Sequence, residues 1–218
     1  MNEIFALLQK ETSVELRSRA GFLTAVMFSL VTVVALGLAS MDEQVSGMMG
    51  AGVIMVALLF ASVVSLPRSF ISEEEQGTGD LLRLWTTAKT VFWAKAIYNL
   101  IFMAGIGLVT GIAYVALAHL NVTNWLQFLL CVLGVCISLS GTVTLCGALV
   151  SQASHRSLLA GAIALPLLLP LVFLGIAAMK AGLGDASAHA WSAIGGLWCY
   201  AAASLLLGPI LFEAIWKP

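Results

Sequence analysis

The chain has 218 residues, of which 61% are hydrophobic and only 10% are charged. Soluble domains carry about 25% charged residues, so this composition excludes an ordinary water-soluble fold and predicts an all-α polytopic membrane protein. The formal net charge is -1 at pH 7, so no basic field is present that would attract nucleic acid.

Residues 1–20 predict an interfacial amphipathic helix. Apolar side chains such as Ile4, Leu7 and Leu8 are interspersed with charged ones at helical spacing. Glu11 and Glu15 intrude on the apolar side, so the pattern is imperfect. We expect this helix to lie along the cytoplasmic surface of a membrane, with a partly frayed cytoplasmic tail as the alternative.

Residues 21–218 form the second predicted unit, a six-helix transmembrane domain. Its apolar segments are 21–39, 47–66, 97–118, 125–150, 158–179 and 190–212. Each has about 19 to 26 residues, enough to cross a hydrocarbon core of about 30 Å. A cleaved signal peptide is the alternative for the first segment, because Arg17 and Arg19 precede it.

The distribution of basic residues predicts the orientation of these spans. Nine of the ten lysines and arginines fall on one side, and only Lys180 falls on the other. Cytoplasmic loops carry the excess of basic residues, so both termini and the 67–96 loop are predicted to be cytoplasmic. The loops on the other side are too short to form a domain.

The 67–96 loop combines charge with large apolar side chains. Its acidic residues are Glu73, Glu74, Glu75 and Asp80. A short helix is predicted around 80–85, with Gly77 as a turn and Thr78 as its N-cap. Such a helix would present three leucines to a partner or to the membrane surface, Leu81, Leu82 and Leu84.

The predicted spans exclude several kinds of chemistry. No Asp, Glu, Lys, Arg or His lies inside them, which argues against a proton-driven secondary transporter. Ser138 and Ser140 suggest an intramembrane serine protease as an alternative, but no histidine lies mid-membrane to act as the base. The sequence also lacks a P-loop motif, so any ATP hydrolysis would belong to another polypeptide.

Small residues, prolines and histidines are the remaining features of the spans. Close helix packing, either within one chain or between two copies, is favoured by a GxxxG pair and by small residues at four-residue spacing, which are Gly107 and Gly111, and Gly134, Ser138, Thr142 and Cys146. Pro166 and Pro170 predict a kink or a broken turn, which acts either as a hinge or as a static bend. His119 and His189 lie at the predicted outer face. Each imidazole could either ligate a heme iron or only form hydrogen bonds.

The order of these features resembles the permease subunits of ABC exporters of the ABC-2 type, and more specifically the CcmB family of cytochrome c maturation permeases. The resemblance covers nearly the whole chain. The residues on which the resemblance rests are Glu15-Leu16-Arg17 with Arg19, Arg68-x-Phe70 leading to Glu74-Glu75-Gln76-Gly77-Thr78, then Leu81-Leu82, Lys95, and Leu165-Pro166 with Pro170.

The resemblance implies a permease subunit of the bacterial inner membrane that is not itself an enzyme. Heme would be the substrate of the complex, with ATP bound to a partner subunit. The implied partners are a CcmA-like ATPase, a second copy of the chain, CcmC-like and CcmD-like membrane proteins and a periplasmic CcmE-like heme chaperone. The alternatives are an ABC-2 permease for a lipid, a drug or a polysaccharide, and a non-transporting scaffold that relays ATPase motion to a heme-loaded partner.

The same resemblance makes the 67–96 loop the expected contact with the ATPase. The coupling residues would be Arg68, Phe70, Glu73, Glu74, Glu75, Gly77, Thr78, Asp80, Leu81 and Leu82. Our hypothesis is that closure of the ATPases pushes on this segment and that the motion passes into the second and third spans. The alternative is that the acidic residues of this segment only form a solvent-exposed surface.

Overall fold

Within the residues that the structure describes, all regular secondary structure is helical. The computed structural model describes residues 2–18, 20–39, 46–65, 70, 73, 76–117, 122–151, 156–185 and 190–216. Their helices are α1 Asn2–Ser18, α2 Ala20–Ala39, α3 Gly47–Ser65, α4 Gly79–Trp85, α5 Ala88–Leu117, α6 Trp125–Ser151, α7 Arg156–Gly182 and α8 Ala190–Trp216.

The long helices have the length and surface of membrane-spanning helices. Four of them, α2, α5, α6 and α8, are long and apolar enough to cross a bilayer. Shorter apolar stretches lie in α3, over Gly47–Val63, and in α7, over Pro166–Gly182. Large apolar side chains such as Leu108 and Phe173 are exposed on the outside of the bundle. Because a water-soluble monomer rarely exposes so much apolar surface, the chain is a multi-pass membrane protein.

Helix α6 lies at the centre of the bundle. Of its apolar stretch 72% is buried, against 22% for α2 and 28% for α8. Small residues allow the close packing: a Cβ atom on Gly134 would lie 3.0 Å from Leu197, and one on Gly107 would lie 3.2 Å from Cys136. The small-residue positions of α5 and α6 therefore pack helices within one chain.

Both serine hydroxyl groups in the middle of α6 are bonded to the helix itself. The Ser138 hydroxyl donates to the Gly134 carbonyl at 2.7 Å, and the Ser140 hydroxyl donates to the Ile137 carbonyl at 2.8 Å. These bonds satisfy buried donors inside the bundle. Neither serine is placed as a nucleophile beside a base among the described residues.

Helix α7 continues through both of its prolines. It runs unbroken from Arg156 to Gly182, so of the two predicted alternatives the broken turn is absent and the kink stays a prediction. Between the prolines, the Tyr200 hydroxyl of α8 donates to the Leu167 carbonyl at 2.6 Å. Pro166 and Pro170 are exposed on the side of the bundle, and their role as a hinge stays a prediction.

The ends of the helices meet in two groups. At one end, the starts of α2 and α5 and the end of α8 lie near α1 and α4, and Lys89 of α5 pairs with Glu213 of α8 at 3.3 Å. We call this the basic end, because Lys10, Lys89 and Lys95 lie there. At the opposite end, the Asp185 carboxylate accepts a hydrogen bond from the Met48 backbone N–H at 2.7 Å, which ties the end of α7 to the start of α3.

Helix α5 begins earlier than hydropathy predicts. The apolar segment starts at residue 97, whereas the helix starts at Ala88. Lys95, which precedes the predicted segment, is therefore buried inside a helix that is long enough to span the membrane, and Asn99, within the predicted segment, is buried one turn further along. The Asn99 side-chain amide donates to the Thr144 hydroxyl of α6 at 2.8 Å.

Candidate site at the basic end

The two acidic residues on the apolar side of α1 bind to the bundle. The Glu15 carboxylate accepts a hydrogen bond from the Phe22 backbone N–H at 2.8 Å, in the first turn of α2, where backbone donors lack partners within the helix. The Glu11 carboxylate lies 2.7 Å from the Lys95 ammonium. The imperfect amphipathic pattern of α1 is therefore explained by two polar contacts with the bundle.

Among the described residues, four charged side chains form an ionic cluster, which consists of the buried Glu11, Glu73 and Lys95 and the exposed Lys10. The Lys95 ammonium lies 2.7 Å from a Glu11 oxygen and 3.0 Å from one Glu73 oxygen, and Lys10 binds the other Glu73 oxygen. Lys95 is 2% exposed, Glu11 7% and Glu73 9%. Its described members are two cations and two anions, whose formal charges sum to zero.

Beneath the cluster lies an aromatic ring. The Lys95 ammonium is 4.5 Å from the centre of the Phe70 ring, a cation–π geometry. Burial raises the pKa of Glu73, but the attraction of Lys95 and Lys10 outweighs it, so the net pKa lies below the ordinary 4.5. Glu73 is therefore a carboxylate at neutral pH. Removing one member of a buried ion pair typically costs about 3–5 kcal/mol, because the other charge loses its partner.

Glu73 also holds the start of α4 through its backbone. The Thr78 backbone N–H donates to the Glu73 carbonyl at 2.9 Å, and the Thr78 hydroxyl donates to the same oxygen at 3.1 Å. Gly77 takes a positive φ of 66°, the left-handed conformation that favours glycine, and makes the predicted turn. The short helix is present with Thr78 at its N-cap, as predicted, but the Thr78 hydroxyl makes no cap hydrogen bond to the helix.

Helix α4 has one face on the bundle and one face away from it. Leu82 is partly buried against the aromatic cluster beneath the helix, and its predicted contact with a partner stays a prediction. Leu81 is 62% exposed, Leu84 83% and Trp85 79%. The Arg83 guanidinium lies 5.5 Å from the centre of the Trp216 ring. One side of α4 is therefore anchored, while three large apolar side chains project outward.

An aromatic cluster packs beneath α4 and joins α5 to α8. The ring centre of Phe212 lies 5.9 Å from that of Phe70, 5.9 Å from that of Phe92 and 5.0 Å from that of Trp216. A Cβ atom on Gly208 would lie 2.3 Å from the Phe92 ring, so only glycine fits there. This close approach of α5 and α8 fixes the position of the aromatic cluster, which we call the aromatic platform beneath α4.

The structure brings together only part of the predicted site. Phe70, Glu73, Gly77, Thr78 and Leu82 meet at the basic end, and Leu81 projects from it. Other predicted positions lie outside the described residues: Arg68, Glu74, Glu75, His119, His189 and the side chain of Asp80. In the part of the chain that the structure describes, no group of three His, Cys, Asp or Glu residues could hold a metal ion.

The sequence did not predict the partnership of Lys10, Glu11 and Lys95. Two signals were present: a glutamate on the apolar side of an amphipathic helix, and a lysine next to an apolar span. Each is a charge where burial is expected, and such charges need partners. The partners could not be assigned, because Lys95 and Glu11 are 84 positions apart in the sequence.

Comparison with known proteins identifies the family. A family profile described as CcmB protein matches residues 2–216. The chain belongs to the CcmB family. The matched region includes α1, α4 and all the long helices, so the site at the basic end lies within the CcmB region. The chain is also 27% identical over 217 residues to heme exporter protein B of Bradyrhizobium diazoefficiens, covering 98% of this chain and 97% of the relative. The resemblance seen in the sequence is confirmed.

Proposed function

We propose that this CcmB-family chain is the permease subunit of an ATP-driven ABC complex that exports or handles heme for c-type cytochrome maturation. The name of its relative, heme exporter protein B, supports the heme part of this proposal. The absence of a P-loop motif from the sequence supports a separate ATPase. The observation that carries the proposal is α4, a short helix anchored on one side with its exposed apolar side chains directed away from the bundle.

The proposed arrangement has six spans and one interfacial helix. The spans are α2, α3, α5, α6, α7 and α8, with α1 along the membrane surface. The basic end faces the cytoplasm of the inner membrane, because lysine and arginine concentrate in cytoplasmic loops. Both termini are then cytoplasmic, and α4 is accessible to a cytoplasmic ATPase.

The docking face of α4 consists of Leu81, Leu84 and Trp85. Tryptophan is a frequent anchor of protein interfaces, so Trp85 fills an apolar pocket on the ATPase and the two leucines extend the apolar contact around it. Acidic residues of the same segment, Glu74, Glu75 and Asp80, pair with basic residues around that pocket and orient the contact. Closure of the ATPases on ATP then displaces α4.

The contacts of α4 favour a route for this motion. They run to α5 through Glu73 and Lys95, and to α8 through Leu82 and Trp216. The third span, α5, is therefore the first receiver of the motion, and the last span, α8, is a second one. The expected route into the second span runs through 66–69, which lies outside the described residues.

Heme is the proposed substrate of the complex, and no cofactor is assigned to this chain itself. His119 and His189 follow α5 and precede α8, at the outer face, where they are candidate contacts for heme. Two copies of the chain pair with two CcmA-like ATPases and associate with CcmC-like and CcmD-like membrane proteins. Heme passes from the complex to a periplasmic CcmE-like chaperone.

Copurification of a tagged chain from native membranes tests this function. An ATP-hydrolysing subunit should copurify, and deletion of the gene should abolish c-type cytochromes. Leu84→Ser and Trp85→Ser should lower the amount of copurified ATPase, because each removes part of the apolar contact of the docking face. Phe5→Ser is the matched control, since Phe5 is 70% exposed at the same end but lies on α1. Normal c-type cytochromes in the deletion strain would mean another substrate.

A further inference from the structure

The ionic cluster is a costly feature of the bundle. Charges buried in pairs are usually no more stabilising than apolar side chains of the same size, so stability does not explain why Lys95 is a lysine. Lys95 lies in α5, between buried Phe92 and buried Asn99, and is 2% exposed. A methionine there would avoid the desolvation cost of the ammonium. The charge therefore has a further role.

The contacts of Lys95 bring three separate elements together. Glu11 belongs to α1, Lys95 belongs to α5, and Glu73 lies in the segment before α4. Thr78, at the start of α4, donates two hydrogen bonds to the Glu73 carbonyl. Among the described residues, two successive contacts, Thr78 with Glu73 and Glu73 with Lys95, therefore link the start of α4 to the middle of the polar part of α5, in addition to the two-residue connection 86–87 between the helices.

The order of charges in the cluster allows one contact to break cheaply. The four side chains form an alternating row, Lys10, Glu73, Lys95 and Glu11, in which each contacts the next. When the central contact between Glu73 and Lys95 opens, Glu73 keeps Lys10 and Lys95 keeps Glu11. No charge is left without a partner, so opening the row at its centre avoids the large cost of an isolated buried ion.

We infer that Lys95 is a positioning residue for the docking helix, and that its contact with Glu73 opens and closes as the ATPase moves α4. In the closed arrangement, Glu73 ties α4 to α5 and α1. In the open arrangement, α4 and Glu73 move with Lys10, while Lys95 stays with Glu11. The row is a two-state element that the ATPase biases, which is the physical requirement for transmitting a motion. This inference rests on the proposed function and deepens it.

The test compares Lys95→Met with Lys89→Met in the whole complex. Lys89 is the matched control, because it lies on the same helix and pairs with Glu213 at 3.3 Å, but is exposed. Three quantities are measured: the copurified ATPase per permease, the rate of ATP hydrolysis per complex, and the yield of c-type cytochrome per complex.

The expected result for Lys95→Met is uncoupling. The ATPase still copurifies and hydrolyses ATP, while the cytochrome yield per complex falls by about tenfold, within the usual range for loss of coupling between two sites. Lys95→Arg restores much of the yield, because it keeps the charge that Glu73 and Glu11 require. Lys89→Met leaves all three quantities unchanged.

Two outcomes would overturn the inference. One is an equal cytochrome yield per complex for Lys95→Met and Lys89→Met. The other is a loss of ATP hydrolysis in proportion to cytochrome yield, which a merely structural role would give. If Lys95→Met does not accumulate, Glu73→Gln opens the same contact, and the same two outcomes decide. Failure of the unmutated chain to copurify with any ATPase would instead reject the proposed function.

Discussion

Gly208 is the position where a single methyl group should have the largest steric effect on the platform beneath α4. In Gly208→Ala, the new Cβ atom would lie 2.3 Å from one Phe92 ring atom and 2.9 Å from another. Phe92 is completely buried, with its ring centre 5.9 Å from that of Phe212 and 6.2 Å from that of Trp93. The ring cannot move away without displacing these neighbours.

The expected loss follows from the cost of overpacking a core. Adding one methyl group to a well-packed site costs about 1–3 kcal/mol. For a chain of this length, each kcal/mol shifts Tm by about 2–4 °C, so Gly208→Ala should lower Tm by about 2–12 °C. The measurement is the thermal stability of the detergent-solubilised protein by fluorescence-detected size exclusion.

Two companion variants make this prediction specific. Gly195→Ala is the matched control on the same helix, because a Cβ atom there would meet nothing within 4 Å. Phe92→Leu combined with Gly208→Ala should recover part of the loss, since the shorter side chain removes the clashing ring atoms, and the double-mutant cycle should show coupling. Equal Tm values for Gly208→Ala and Gly195→Ala would refute the reasoning.

Three further predictions concern hydrogen bonds and charge. Glu15→Gln should lower Tm by a few degrees, because weakening the acceptor for the Phe22 N–H costs about 1 kcal/mol at a helix N-terminus; an unchanged Tm would contradict the contact. Tyr200→Phe should cost about 0.5–1.5 kcal/mol by removing the bond to the Leu167 carbonyl, measured by the same assay, and a gain in stability would argue against that bond. The stability that Glu73 contributes should be complete above pH 4.5 and lost as the pH falls below it, because its pKa in the folded protein is lowered. The difference in Tm between the unmutated chain and Glu73→Gln should therefore shrink on acidification, and a difference that grows would contradict the sign.

The sequence predicted the parts of the basic end that depend on local rules. The turn at Gly77 and the short helix after it follow from backbone conformation and helix-start rules, and both are present. The faces of that helix could not be predicted in the same way. Leu81 and Leu82 are neighbours with the same chemistry, and only the aromatic platform decides which one is partly buried.

The ionic cluster shows why pairing across the chain is harder to predict than helix position. Hydropathy placed the third span after Lys95, because a lysine in a span is normally unfavourable. The helix includes Lys95 because Glu11 and Glu73 supply its counter-charges. Those partners come from other elements, and their distances in the sequence carry no indication of contact. The charge that hydropathy excluded from the span is the one that connects α1, α4 and α5.

Photo-crosslinking from the docking face tests the central claim most directly. A photoreactive residue replaces Leu84 in native membranes, and a second variant carries it in place of Phe173, which is 76% exposed on α7. We predict that position 84 forms an adduct with an ATP-binding subunit, identified by mass spectrometry, and that position 173 forms none. An adduct with the same subunit from both positions, or no protein adduct from position 84, would contradict the account.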